Sequence, residues 1–178
     1  MQLGLDPARL VFLDESGAKT NMTRLRGRAQ RGQRVYASAP QGHWYTTTMI
    51  SSIRLDGSTA CMAVDGATDT EVFRVFVDQV LCPSLREGDI VIMDNLSPHK
   101  SPATIELIEA AGAEVLFLPA YSPDLNPIEK MWSKVKESLR AAEARTQEAL
   151  IAAIGRALEC VTAQDAMNWF ASCGYSFI

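Results

Sequence analysis

The apolar positions along this chain change rhythm several times, and each rhythm predicts a different element. Leu10-Val11-Phe12-Leu13 is an unbroken apolar run closed by Asp14, and Ile90-Val91-Ile92-Met93 is a second, closed by Asp94. Short runs without alternation predict strands buried on both faces. Trp44 to Ile53 and Thr59 to Val64, separated by the turn signal Asp56-Gly57, predict an antiparallel hairpin. Between Thr68 and Leu85 the residues Val72, Phe73, Phe76, Val77 and Val80 recur at helical spacing, which predicts an amphipathic helix. A shorter helix over Pro102 to Ala111 is closed by Gly112, a strand follows over Val115 to Leu118, and the remainder reads as helix over 126–142, 146–160 and 163–172.

Three strands followed by alternating helix and strand predict an α/β fold. The sheet is mixed and five-stranded, antiparallel on one side and parallel on the other, flanked by helices and followed by C-terminal helices. At 178 residues, 47% of them hydrophobic, the chain suits a single domain over 1–178 with its own core. No apolar run approaches the roughly 18 residues of a membrane span, and no basic-then-apolar leader opens the chain, so the reading is cytoplasmic with no membrane partner. Cys61, Cys82, Cys160 and Cys173 lie far apart without a pairing motif and read as small core residues rather than disulfides or zinc ligands.

A net charge of −4 argues superficially against a nucleic-acid partner, but the basic residues are segregated. Lys19, Arg24, Arg26, Arg28, Arg31 and Arg34 fall in one stretch with no acid, and Lys130, Lys134, Lys136, Arg140 and Arg145 form a second cluster. A polyanion responds to the local patch within a Debye length of about 8 Å. Gly17, Gly27 and Gly32 permit close backbone approach, and arginine suits bidentate phosphate contact. A solvated charged loop is the plain alternative.

Acids at the ends of central strands lie where ligand sites gather in α/β sheets, so Asp14 and Asp94 are expected to converge. Each alone is equally an ordinary strand-end turn former. A third acid closes the segment Ser122-Pro123-Asp124-Leu125-Asn126-Pro127-Ile128-Glu129. Asn126 suits an N-cap, Pro127 the first helical position and Glu129 the third, so a capping box accounts for the segment locally. Yet Ile128, Trp132, Val135 and Leu139 form an apolar stripe, with Trp132 in the core, while Glu129, Ser133 and Lys136 share a neighbouring face. Clustered carboxylates are costly to bury without a cation, and an all-oxygen set suits magnesium or manganese, the ions of phosphodiester chemistry. Glu15 should point away from Asp14 if the pleat continues. His43, at the start of the predicted hairpin, reads as structural.

Four segments together carry a resemblance: Leu13-Asp14-Glu15-Ser16-Gly17; Gly27-Arg28-Ala29 with Arg31-Gly32-Gln33-Arg34; Met93-Asp94-Asn95-Leu96-Ser97-Pro98-His99-Lys100; and Leu118-Pro119-Ala120-Tyr121 running on to Glu129, with Trp132 and Lys136. In this order they closely resemble bacterial insertion-sequence transposases of the mariner-type superfamily, across nearly the whole chain. Asp94 and Glu129 are separated by 34 residues, as in the DD34E pattern of that branch.

The resemblance implies a DDE endonuclease domain of ribonuclease-H-like fold in which Asp14, Asp94 and Glu129 are catalytic and bind two magnesium ions, manganese substituting. It implies cleavage of a DNA strand at the element's terminal inverted repeat, then attack of the freed 3′-hydroxyl on target DNA. Asn95 and His99 lie near the site. Arg24, Arg26, Arg28, Arg31, Arg34, Lys100 and Lys136 are the expected DNA contacts. The implied partners are DNA at transposon ends and target, a second copy of the chain, and a helix-turn-helix region on a separate chain, since only 13 residues precede Asp14 and full-length relatives carry that region there. The expected setting is the cytoplasm, on the nucleoid. Two other readings stay open: a ribonuclease-H-like nuclease that only cleaves, and a truncated or domesticated remnant that binds nucleic acid without chemistry.

Overall fold

The computed structural model describes residues 4–175. Five strands, β1 (Leu10–Lys19), β2 (Thr46–Arg54), β3 (Thr59–Asp65), β4 (Ile90–Met93) and β5 (Glu114–Phe117), form one sheet in the order β3-β2-β1-β4-β5. β1 pairs antiparallel with β2, as β2 does with β3, while β4 runs parallel to both β1 and β5. Helices α1 (Thr70–Phe76) and α2 (Pro102–Ala110) cover one face, and α3 (Pro127–Ala142), α4 (Gln147–Glu159) and α5 (Ala163–Ser172) cover the other. This is the mixed five-stranded, ribonuclease-H-like arrangement. Among the described residues no helix is long and apolar enough to cross a membrane.

Strand alternation divides the core in two. Leu10 and Phe12 of β1, with Ile90 and Ile92 of β4, pack against α3, α4 and α5. Val11 and Leu13, with Val91 and Met93, pack against α1 and α2. Both faces of the central strands are thus buried, which is why their sequences show no polar alternation. The Phe12 and Phe170 rings meet edge to face with centroids 5.2 Å apart, and the Tyr175 ring centroid lies 5.0 Å from that of Phe12. The Tyr175 hydroxyl donates to the Leu125 carbonyl at 2.9 Å, which ties the end of α5 to the approach to α3.

Several expectations need correction. β1 does not close at Asp14 but continues to Lys19, because β2 pairs with it from Val11 to Lys19 whereas β4 accompanies only Leu10–Phe12. The helix expected over Thr68 to Leu85 is regular only to Phe76; it passes into a π turn at Val77–Leu81 and a 3-10 turn at Cys82–Ser84. Pro83 has no N–H for a regular ladder, so the last turns cannot stay α-helical. β2 begins at Thr46, leaving His43, Trp44 and Tyr45 exposed in the preceding loop. Of the cysteines, Cys173 is buried, Cys61 and Cys82 are half-buried, and Cys160 is exposed rather than in the core.

The start of β4 is fixed by a buried ion pair. Arg54 at the end of β2 reaches Asp89 with Nη1 to Oδ1 at 3.0 Å and Nη2 to Oδ2 at 2.5 Å, and the Arg86 N–H also donates to Asp89 at 2.6 Å. Burial pushes the Asp89 carboxyl up, but these donors outweigh it and hold the group below its ordinary range. Asp89→Ala would strand the guanidinium, and loss of about 3 to 5 kcal/mol in urea unfolding is expected.

Candidate active site

Strand parity aims the acids. Asp14 follows Leu10 and Phe12 onto the face covered by α3, at the point where β1 has outrun its parallel neighbour. Glu15 falls on the opposite face, where its Oε2 accepts the Thr68 hydroxyl at 2.9 Å. Asp94 comes directly after the last residue of β4, and Glu129 lies on the first turn of α3. Asp14, Asp94 and Glu129 all line one cleft of about 410 Å³, together with Asn95, Leu96, Asn126 and the loop 118–123.

The charges in this cleft act on one another. Burial pushes the Asp14 carboxyl up to about 7; the Glu15 N–H that it accepts at 2.7 Å opposes this, while the carboxylates of Glu129, Asp94 and Glu15 push it further up. The acids do not form a preassembled cage. Among the described residues no three Asp, Glu, His or Cys side chains stand close enough to hold one ion. Like charges repel, and Glu129 is exposed, so a rotamer change redirects its carboxylate without moving α3.

A capping box does not account for Glu129. Asn126 occupies the N-cap position, but its side chain makes no capping hydrogen bond; only its carbonyl accepts from the Glu129 N–H, at 3.2 Å. Asn126 is 5% exposed, and its Oδ1 has no hydrogen-bond partner although the residue lines the acid cleft. A buried orphan oxygen beside three carboxylates, with no sulfur or imidazole in the lining, suits a hard divalent cation.

Asn95 and His99 brace the end of β4. Asn95 Nδ2 donates to the Leu118 carbonyl, linking the ends of β4 and β5. His99, fully buried in the turn Ser97–Lys100, stacks on Phe73 with ring centroids 4.4 Å apart. Its Nδ1 is 2.6 Å from Asp94 Oδ1, close but off the line of a hydrogen bond, and its Nε2 has no partner. The Leu96 N–H donates to the same Asp94 oxygen at 3.0 Å. His99→Ala would leave a cavity on Phe73, costing about 2 to 3 kcal/mol in denaturant unfolding.

The basic residues take several places. Arg24, Arg26, Arg28, Arg31 and Arg34 are all exposed in the long loop between β1 and β2. Lys100 is exposed beside the site, with Nζ 5.9 Å from the Phe117 ring centroid. Lys136 is half-buried and does not line the acid cleft. Lys134 and Arg145 are engaged structurally: Lys134 pairs with Asp165 at 2.6 Å, and Arg145 donates to the carbonyls of Thr20 and Met22 at 3.1 and 2.8 Å. Trp132 is core, 2% exposed.

Two cleft features escaped sequence reasoning. Tyr121 is fully exposed at the rim with φ +58°, a left-handed conformation uncommon for tyrosine that no sequence signal marks. The other is Asn126, whose candidacy as a helix cap masked its orphan oxygen.

Residues 9–151 match the family model described as DDE superfamily endonuclease, and the chain belongs to that superfamily. Among solved structures it is similar to the Mos1 transposase paired-end complex with left transposon end, with a TM-score of 0.69, 20% identity, and coverage of 93% of this chain and 52% of that one. It is similar also to the Mos1 mariner paired-end complex with Mn, with a TM-score of 0.65, 19% identity, and coverage of 92% and 52%. The catalytic core domain of BIV integrase matches with a TM-score of 0.51, 13% identity, and coverage of 85% and 81%. At these identities the likeness is one of fold. The chain spans about half the length of the Mos1 chains. No curated protein matches significantly.

Proposed function

We propose that this chain is the catalytic domain of a DDE transposase of the bacterial insertion-sequence, DD34E branch, which cuts a DNA strand at the element's end and joins the freed 3′-hydroxyl to target DNA. The observation that carries the reading is that three acids from β1, the end of β4 and the start of α3 line one cleft, where burial first and the neighbouring carboxylates second push the Asp14 carboxyl up. Membership of an endonuclease superfamily and similarity to transposase complexes on transposon ends support it.

In this reading Asp14, Asp94 and Glu129 hold two magnesium ions, manganese substituting, with Asn126 Oδ1 as a further neutral oxygen. When bound, the ions supply electrophilic stabilisation of the phosphodiester undergoing exchange. The chain's own residues divide the remaining work. β1 fixes Asp14 in a paired strand, the Leu96 N–H holds Asp94, and Glu129 adjusts from the first turn of α3. Asp14, with its carboxyl near 7, gives up its proton at neutral pH as a cation enters. Arg24, Arg26, Arg28, Arg31, Arg34, Lys100 and Lys136 attract the DNA backbone. Residues 1–178 act as one catalytic unit, with a second copy completing the assembly.

Supercoiled plasmid incubated with the protein and magnesium, alongside an oligonucleotide bearing a free 3′-hydroxyl, tests the reading. Nicked plasmid with oligonucleotide joined to it is the expected product. Nicking without joining would make the protein a nuclease only, and binding without nicking would make it a remnant.

A further inference from the structure

A second groove, of about 450 Å³, shares no lining residue with the acid cleft. It lies between the β1–β2 loop, which contributes Arg24, Leu25 and Arg26, and α3, which contributes Ser133, Glu137 and Arg140. From this arrangement we infer that the groove seats the phosphodiester backbone of the DNA strand entering the acid cleft, an inference that rests on the nuclease reading of that cleft.

The helix dictates the path. Ser133 and Glu137 follow Glu129 at intervals of four, and Arg140 comes three later, so all four lie along one ridge of α3. From Glu129 to Arg140 the ridge rises about 16 Å, the span of about five base pairs of duplex. A linear polyanion crossing the acid cleft therefore runs along the ridge into the groove.

The loop is held where the groove needs it. Arg145 binds the Thr20 and Met22 carbonyls, the Thr20 N–H donates to the Tyr45 carbonyl at 3.1 Å, and the Tyr45 N–H returns to Thr20 Oγ1 at 3.1 Å. The loop's two arms also touch, since a Cβ on Gly27 would meet Val35 Cγ1 at 2.6 Å.

Charge selects the occupant. Three guanidiniums face one carboxylate, Glu137, and among the described residues Arg24, Arg26 and Arg140 form no ion pair. The forked donors of arginine match phosphate oxygens. With no aromatic side chain in the lining, the groove offers a base nothing to stack on, so it suits backbone rather than a free nucleotide.

Equilibrium binding of the full chain to 20-bp duplexes of unrelated sequence, without metal and across a salt series, tests this. Arg140→Ala should weaken binding equally for every sequence and reduce the slope of log K against log salt by about 0.9, as for one lost phosphate contact. Arg24→Ala with Arg26→Ala should reduce it by about twice that, and Glu137→Gln should tighten binding several-fold. Parental slopes in both arginine variants, with no gain from Glu137→Gln, would overturn the inference. Because these measurements need no cleavage, a parent protein that fails to nick would sink the nuclease reading without altering the slopes. In nicking assays with magnesium, a neutral methylphosphonate should weaken binding most at four to six nucleotides from the cut. Sensitivity confined to other linkages would also overturn the inference.

Discussion

Asp14→Asn is expected to stabilise the metal-free protein at pH 8 and to abolish its nicking at the same time. The folded carboxyl titrates near 7 against an ordinary value of 3.8. Between those two values the unfolded chain has released its proton while the folded chain retains it, so the parent loses stability as pH rises through this window and levels off above it. The full shift is worth about 4 kcal/mol, and because Asp14 is not completely enclosed a value of about 2 to 4 kcal/mol is expected. Asparagine removes the charge yet still offers Oδ1 to the Glu15 N–H, so the variant escapes the loss. Urea unfolding at pH 4 and pH 8 checks this: the two proteins should match at pH 4 and diverge at pH 8. Added magnesium should then raise the melting temperature of the parent but not of the variant.

Glu129→Gln should cut magnesium-dependent nicking by at least about 1000-fold, a barrier increase of about 4 kcal/mol, while leaving the fold intact. Glutamine is isosteric, Glu129 is exposed, and no capping bond from Asn126 depends on its neighbourhood. What is lost structurally is a negative charge on the first turn of α3, worth about 0.3 to 1 kcal/mol. Plasmid nicking with parallel thermal melts separates the two effects. Loss of activity through unfolding, or retained activity in a folded variant, would each count against the role of Glu129.

The architecture was legible because the central strands are buried on both faces and so announce themselves as unbroken apolar runs. Element order then left little choice about which pairs run parallel. Boundaries set by pairing partners were not legible: nothing between Leu13 and Asp14 says that β2 accompanies β1 for seven residues after its pairing with β4 has ended. The breakdown of α1 into a π turn was written at Pro83, but the periodic apolar residues before it concealed the break. For the candidate site, the acids and the segment around Asn126 were visible as residue types at suggestive positions. Convergence of the acids depends on strand parity and on the angle at which α3 meets the sheet, and neither is local. The orphan oxygen of Asn126, the strained Tyr121 and the engagement of Lys134 and Arg145 arise only from tertiary contacts, so composition counted the two basic residues as available when they are not.

Calorimetric titration of magnesium into the metal-free protein addresses the shared role of the acids most directly. The parent should bind with proton release at pH 7, and Asp14→Asn, Asp94→Asn and Glu129→Gln, each shown folded, should each weaken that binding at least tenfold. Parental magnesium affinity in any one of the three would remove that acid from the site and contradict the account.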